Sequence, residues 1–183
     1  MKSEKEKMLS GELYFAGDDE LEKGRTAARA LFLEFNSTKP TENKKKIEIL
    51  KKLIKFKGKI LIEPPFYCDY GYNIEIGENF YANFSCILLD TNKIIIGDNV
   101  MFGPNVQIYT ATHPLNAKER ITGLELAKPI IIGDNVWISC GAIVCPGVTI
   151  GNNTTIGAGS VVTKNIPDNT FAAGNPCKVI RNL

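Results

Sequence analysis

Few side chains in this 183-residue chain can do acid–base chemistry near neutral pH, and one of them is unique, since His113 is the only histidine. An imidazole with an ordinary pKa of about 6.5 can take a proton and return it at pH 7. A single imidazole excludes any centre that needs two or three histidine ligands from one chain. The five cysteines, Cys68, Cys86, Cys140, Cys145 and Cys177, are scattered without a CxxC pair. That spacing reads as reduced thiols, with neither a disulfide framework nor a zinc site. His113 sits in the stretch 109–129, whose residues are polar and loop-forming, and Glu125 lies in the same stretch. A carboxylate there can accept from the second ring nitrogen and orient the base, a service that a backbone carbonyl would perform as well.

The elements that must hold this loop are legible from a repeat. From Ile76 an aliphatic or small residue recurs as Ile76, Ala82, Leu88, Ile96, Phe102, Ile108, Ile132, Ile138, Val144, Ile150, Ile156 and Val162. The step is six residues apart from eight between Leu88 and Ile96, and 24 between Ile108 and Ile132. Two positions before each lies another apolar or small residue, from Ile74 and Phe80 to Thr154 and Ser160. A fixed period of this kind marks a solenoid. Each hexad supplies a short strand with alternate side chains inward and then a corner, three hexads make a coil of about 18 residues, and coils stack at roughly 4.8 Å. The recurring Gly-Asp-Asn and Gly-Asn-Asn at 97–99, 133–135 and 151–153 are expected at corners that need tight or positive-φ backbone. The long interruption at 109–129 is where an inserted loop would carry function.

Residues 1–57 read as helical. Leu21, Ala28, Leu31, Phe32 and Phe35 fall on one stripe of a helix that Asp18 or Asp19 can cap. A second helix is expected over about 41–56, with Ile47, Leu50, Leu53 and Ile54 as its apolar face. The organisation is thus a helical segment 1–57, a parallel β-helix 58–170 and a tail 171–183. Composition fits an ordinary globular protein, with 44% hydrophobic and 23% charged residues and a net charge of +2. The basic excess lies in residues 1–60, where clusters such as Lys44-Lys45-Lys46 read as a solvated helix face, so no nucleic-acid partner is expected. No apolar run nears the roughly 20 residues of a membrane span and the first residues lack a signal-peptide core, which predicts a cytoplasmic protein without a membrane partner.

Several motifs together resemble the bacterial maltose/galactoside O-acetyltransferases: the hexads, Thr-Ala-Thr-His113-Pro, Lys7-Met8-Leu9-Ser10-Gly11-Glu12-Leu13-Tyr14, Asn79-Phe80-Tyr81-Ala82-Asn83-Phe84 and Ala173-Gly174-Asn175-Pro176. The resemblance spans essentially the whole chain. It implies a left-handed parallel β-helix that forms a homotrimer, with acetyl-CoA as co-substrate, no metal, and sites between subunits that acetylate a sugar hydroxyl. It further implies His113 as general base in direct transfer within a ternary complex, with Glu125 beside it. Acceptor contacts are implied at Asp69, Tyr81, Asn83 and Asp90. After Gly-Glu-Leu-Tyr, where the family places polar residues, Phe15-Ala16-Gly17 follow here and only Asp18 matches. Matching positions for acetyl-CoA are Trp137, Cys140, Gly141, Ala158, Thr163 and Lys164, with Lys178 and Arg181 to meet phosphates. The N–H of Ser139 is the expected donor to the oxyanion. Cys140 has no second histidine to activate it as an acyl nucleophile.

Other readings are an acetyltransferase for an antibiotic or another non-sugar acceptor, and a non-catalytic solenoid that binds a partner. A metal-dependent hydratase on the same solenoid needs three histidines and is excluded by their number.

Overall fold

The computed structural model describes residues 1–183, and the period of six becomes a three-sided parallel β-helix. One side stacks Lys55–Phe56, Ile74–Ile76, Ile94–Ile96, Ile130–Ile132 and Thr149–Ile150, and the other two are built in the same way. Register places like on like, with Ile74 beside Ile94 beside Ile130 and Ile76 beside Ile96 beside Ile132. Every inward position of the repeat is buried, and these residues form one core with the helices' apolar faces. Each fully buried Ile or Val contributes about 1.5–3 kcal/mol, so the column is the main source of stability.

The Gly-Asp-Asn and Gly-Asn-Asn triplets do fall at tight, positive-φ corners, and their residues divide the work. In Gly97-Asp98-Asn99 it is Asn99 that takes the positive φ, as do Asn79, Asn135, Asn153 and Asn169 at the other levels. Their side-chain amides form a continuous chain of hydrogen bonds, each of 2.9–3.1 Å, from Asn79 to Asn169. Gly97 serves close approach instead. The Asp134 carboxylate of the next coil accepts from the Asp98 N–H at 2.8 Å, and a Cβ on Gly97 would lie 2.2 Å from that carboxylate oxygen.

Three helices precede and cap the solenoid: α1 (Glu4–Ser10), α2 (Asp19–Asn36) and α3 (Asn43–Leu53). Helix α1 begins with a Ser3/Glu6 capping box and ends at Gly11 in the left-handed region. Asp18 caps α2, its carboxylate accepting from the Glu20 and Leu21 N–H groups. Asn36, at the end of α2, accepts from the Phe66 N–H and donates to the Phe66 carbonyl, which fixes the helix to the first coil. The boundary expected at residue 58 moves, because Lys55–Phe56 already pairs with Glu75 and Ile76. The tail is a structured edge, with Lys178–Asn182 antiparallel to Thr170–Ala173.

One vertical edge of the prism departs from the hexad at three successive levels. From Cys68 to Ile76 and from Leu88 to Ile96 the inward positions are eight residues apart, and the next level of this edge is the insertion 109–129. Within the insertion, β2 (Ala111–Thr112) and β3 (Leu124–Ala127) pair antiparallel around a short helix α4 (Ala117–Arg120). The outer edge of β3 takes a third strand from the N-terminal segment, β1 (Tyr14–Phe15), with Tyr14 opposite Glu125. Asn92, buried in the lengthened corner, donates through Nδ2 to the carbonyls of Met8, Leu9 and Ala127. It thereby ties α1, the solenoid and the inserted loop together.

Candidate active site

The lengthened edge, the inserted loop and the N-terminal segment enclose a cavity of about 330 Å³, walled by Tyr14, Ala16, Arg25, Asp69, Tyr70, Thr91, Ala111, His113 and Glu125. The sole histidine and two carboxylates thus converge from β2, β3 and the 69–73 corner. His113 is exposed and its ring makes no hydrogen bond within the chain. Glu125 does not bond to it: the Tyr14 hydroxyl donates to Glu125 Oε2 at 2.7 Å, and Oε1 is left without a partner.

The walls are braced by further polar bonds. Thr91 donates its hydroxyl to Asp69 Oδ2 at 3.1 Å. Burial pushes the Asp69 carboxyl up, opposed by the Thr91 bond and by Arg25 and Arg29. Arg25 donates to the Tyr70 hydroxyl at 2.8 Å and to the Ala16 carbonyl at 2.7 Å, which presents its guanidinium as part of the wall. Burial raises both Tyr14 and Tyr70, so both phenols keep their protons and remain donors.

A second cavity of about 280 Å³ lies on another face of the same chain, lined by Tyr81, Asn83, Met101, Phe102, Gly103, Pro104, Trp137, Ser139 and Cys140. Trp137 is 47% exposed there, an unusual setting for the largest apolar side chain unless something packs on it. Gly141 and Gly159 stack at the adjoining corner in the left-handed region, with Ala158 beside them. Thr163 and Lys164 are exposed beyond Val161–Val162, and Lys178 and Arg181 are exposed on the terminal strand, with the Arg181 guanidinium 5.4 Å from the Phe171 ring centre.

Several expected roles change. Asp90 is wholly buried, and its carboxylate accepts the N–H groups of Asp69 at 3.0 Å, Tyr70 at 2.8 Å and Asn73 at 3.2 Å, so it holds the corner and meets no acceptor. Asp18 caps α2 through Oδ1 and is not among the residues that wall the His113 cavity, where Ala16 stands. The Ser139 N–H already donates to the Ile156 carbonyl at 2.9 Å, which removes it as an oxyanion donor. Tyr81 and Asn83 line the second cavity, away from the His113 cavity of their own chain. Tyr14, Arg25, Tyr70 and Thr91 were not expected. Arg25 lies on the polar side of α2, where periodicity is silent, whereas the eight-residue step between Cys68 and Ile76 was a readable sign that its corner matters.

Residues 7–57 match the family model described as the maltose acetyltransferase hexapeptide capping motif, and residues 129–164 match the bacterial transferase hexapeptide model. The galactoside O-acetyltransferase of Lactococcus lactis is 47% identical over 94% of this chain and 84% of its own. The crystal structure of a maltose O-acetyltransferase from Clostridium difficile superposes with a TM-score of 0.98 at 55% identity, covering 100% of this chain and 98% of that one. A galactoside acetyltransferase solved in complex with coenzyme A gives a TM-score of 0.96 at 42% identity, over 100% of this chain and 92% of its own.

Proposed function

The chain belongs to the maltose/galactoside O-acetyltransferase family of hexapeptide-repeat acyltransferases, and from that premise we propose that it moves the acetyl group of acetyl-CoA to a hydroxyl of a small sugar. The observation that carries the acceptor reading is the composition of the His113 cavity. Two carboxylates, a guanidinium, two phenols and a threonine hydroxyl line one wall around the only imidazole. Such a set can accept from and donate to several hydroxyls at once. Its volume lies at the small end of the usual range of about 300–1,000 Å³, which suits one sugar ring better than a long oligosaccharide.

The reaction follows from the groups present. An alcohol is a poor nucleophile at pH 7, so His113 takes the hydroxyl proton as the oxygen attacks the thioester carbon. The tetrahedral intermediate collapses with cleavage of the C–S bond, and the imidazolium returns the proton to the departing thiolate, leaving an O-acetyl ester and free CoA. Glu125 orients the ring and offsets its transient positive charge. The Cys140 N–H, one residue beyond the expected donor, makes no backbone hydrogen bond and lies in the second cavity, and it is the proposed oxyanion donor.

The coenzyme's place is the groove at Trp137, Cys140 and Gly141, continuing past Ala158 and Thr163, with Lys164, Lys178 and Arg181 toward its phosphates. Trp137 and His113 occupy different cavities of one chain, and a homotrimer brings the groove of one subunit to the cavity of the next. The matched relatives are acetyltransferases, one of them solved with coenzyme A, which supports this choice of donor. No helix is long and apolar enough to cross a membrane. A free-thiol assay with acetyl-CoA across glucose, maltose, galactosides and non-sugar alcohols tests the reading. Thiol release is expected with at least one sugar. Release with non-sugar acceptors alone would move the assignment to another acceptor class.

A further inference from the structure

Tyr14 lies far from the inserted loop in sequence, yet it is built into the loop's sheet. It sits directly opposite Glu125 in the antiparallel pair of β1 and β3, so both side chains project from the same face. The residue is only 1% exposed, its ring packs with Met8, Leu21 and Tyr70, and its hydroxyl has one partner, Glu125 Oε2 at 2.7 Å. The strand that carries it cannot drift, because Asn92 binds the end of α1 and β3 at once. A buried donor with a single carboxylate acceptor, at a cavity that holds the only imidazole, is placed to choose where that carboxylate points.

We propose that Tyr14 is a positioning residue: its hydroxyl holds Glu125 by one oxygen, leaving the other to accept from the His113 ring. This inference rests on the roles proposed above for His113 and Glu125. The phenol stays protonated, and a hydrogen bond to a carboxylate is roughly twice as strong as a neutral one. The N-terminal segment thereby contributes to the reaction without touching the acceptor's reacting hydroxyl.

Because the chain has one histidine, its two ring nitrogens can be followed alone by 15N NMR in the full-length protein. In alkaline buffer with CoA bound, the neutral ring, which makes no hydrogen bond in the free chain, is expected to turn onto Glu125 Oε1 and show one dominant tautomer in the wild type. Tyr14→Phe, which keeps the packed ring and removes only the hydroxyl, and Glu125→Gln should both shift the nitrogens toward a mixture. In the acetyl-transfer assay Tyr14→Phe should lower kcat about tenfold with KM for acetyl-CoA unchanged, and should lower it no further in the Glu125→Gln background. Wild-type nitrogen shifts in Tyr14→Phe, unchanged shifts in Glu125→Gln, or kcat losses that simply multiply in the double variant would each overturn the proposal. If wild-type protein acetylated no sugar, the acceptor assignment would fall, while the nitrogen shifts would still decide for or against Tyr14.

Discussion

His113→Ala is expected to lower kcat by about 10²–10⁴ with little change in acetyl-CoA affinity, the usual worth of a positioned general base. The reason is arithmetic as well as geometric. No second imidazole exists in the chain to substitute, and Asp69 and Glu125, the other proton acceptors in the cavity, are each already hydrogen-bonded. The ring is exposed and not part of any core cluster, so its removal should leave the thermal midpoint where it was. Steady-state kinetics beside a melting curve separate the two effects. Loss of activity with loss of fold would point to a structural histidine, and unchanged turnover would remove the base from the mechanism.

Asp90→Ala is expected to cost about 3–5 kcal/mol of stability, the order expected when several buried donors are left without their acceptor. Three backbone N–H groups, those of Asp69, Tyr70 and Asn73, lose their acceptor in a place that water does not reach. For a chain of this size the midpoint should fall by roughly 6–20 °C. Acceptor binding should weaken as well, since the corner so held carries Asp69 and Tyr70 into the cavity. The same carboxyl sets a pH dependence. Burial pushes it up to about 7, helped by Asp69 and opposed by its N–H partners. Raised above its value of about 3.9 in the unfolded chain, it binds more proton when folded. Its contribution is therefore complete below about pH 4 and is lost as pH rises through 7. Melting curves between about pH 5 and 8 should fall with pH, and the fall should be shallower in Asp90→Asn.

The repeat made the solenoid readable because an inward position every six residues is a strong and local signal, and every position from Ile74 to Val162 read that way is buried. The inserted loop was readable for the opposite reason, as the place where the signal stops. The bracing of the cavity was hidden, since it depends on contacts between residues far apart in the chain. Tyr14 meets Glu125 only after the N-terminal segment has added a strand to the loop, and Arg25 meets Tyr70 only after α2 has docked on the first coil. Asp90 was misread for a related reason. The resemblance implied an acceptor contact at Asp90, whereas the lengthened corner turns its own backbone N–H groups inward and needs an acceptor there. The triplet marked the corner, but its division of work between Gly97 and Asn99 was hidden, because the next coil's Asp134 fills the space a side chain at Gly97 would take.

Hybrid complementation tests most directly whether one active site is assembled from the His113 cavity of one subunit and the Trp137 groove of its neighbour. His113→Ala and Trp137→Ala proteins, each nearly inactive at low acetyl-CoA, are mixed, unfolded and refolded together. In randomly mixed rings with a heterologous interface, about a quarter of the sites receive both intact halves, and activity should return to about a quarter of the wild-type level. Activity no greater than the average of the two parents would contradict the shared site and place the whole reaction within a single chain.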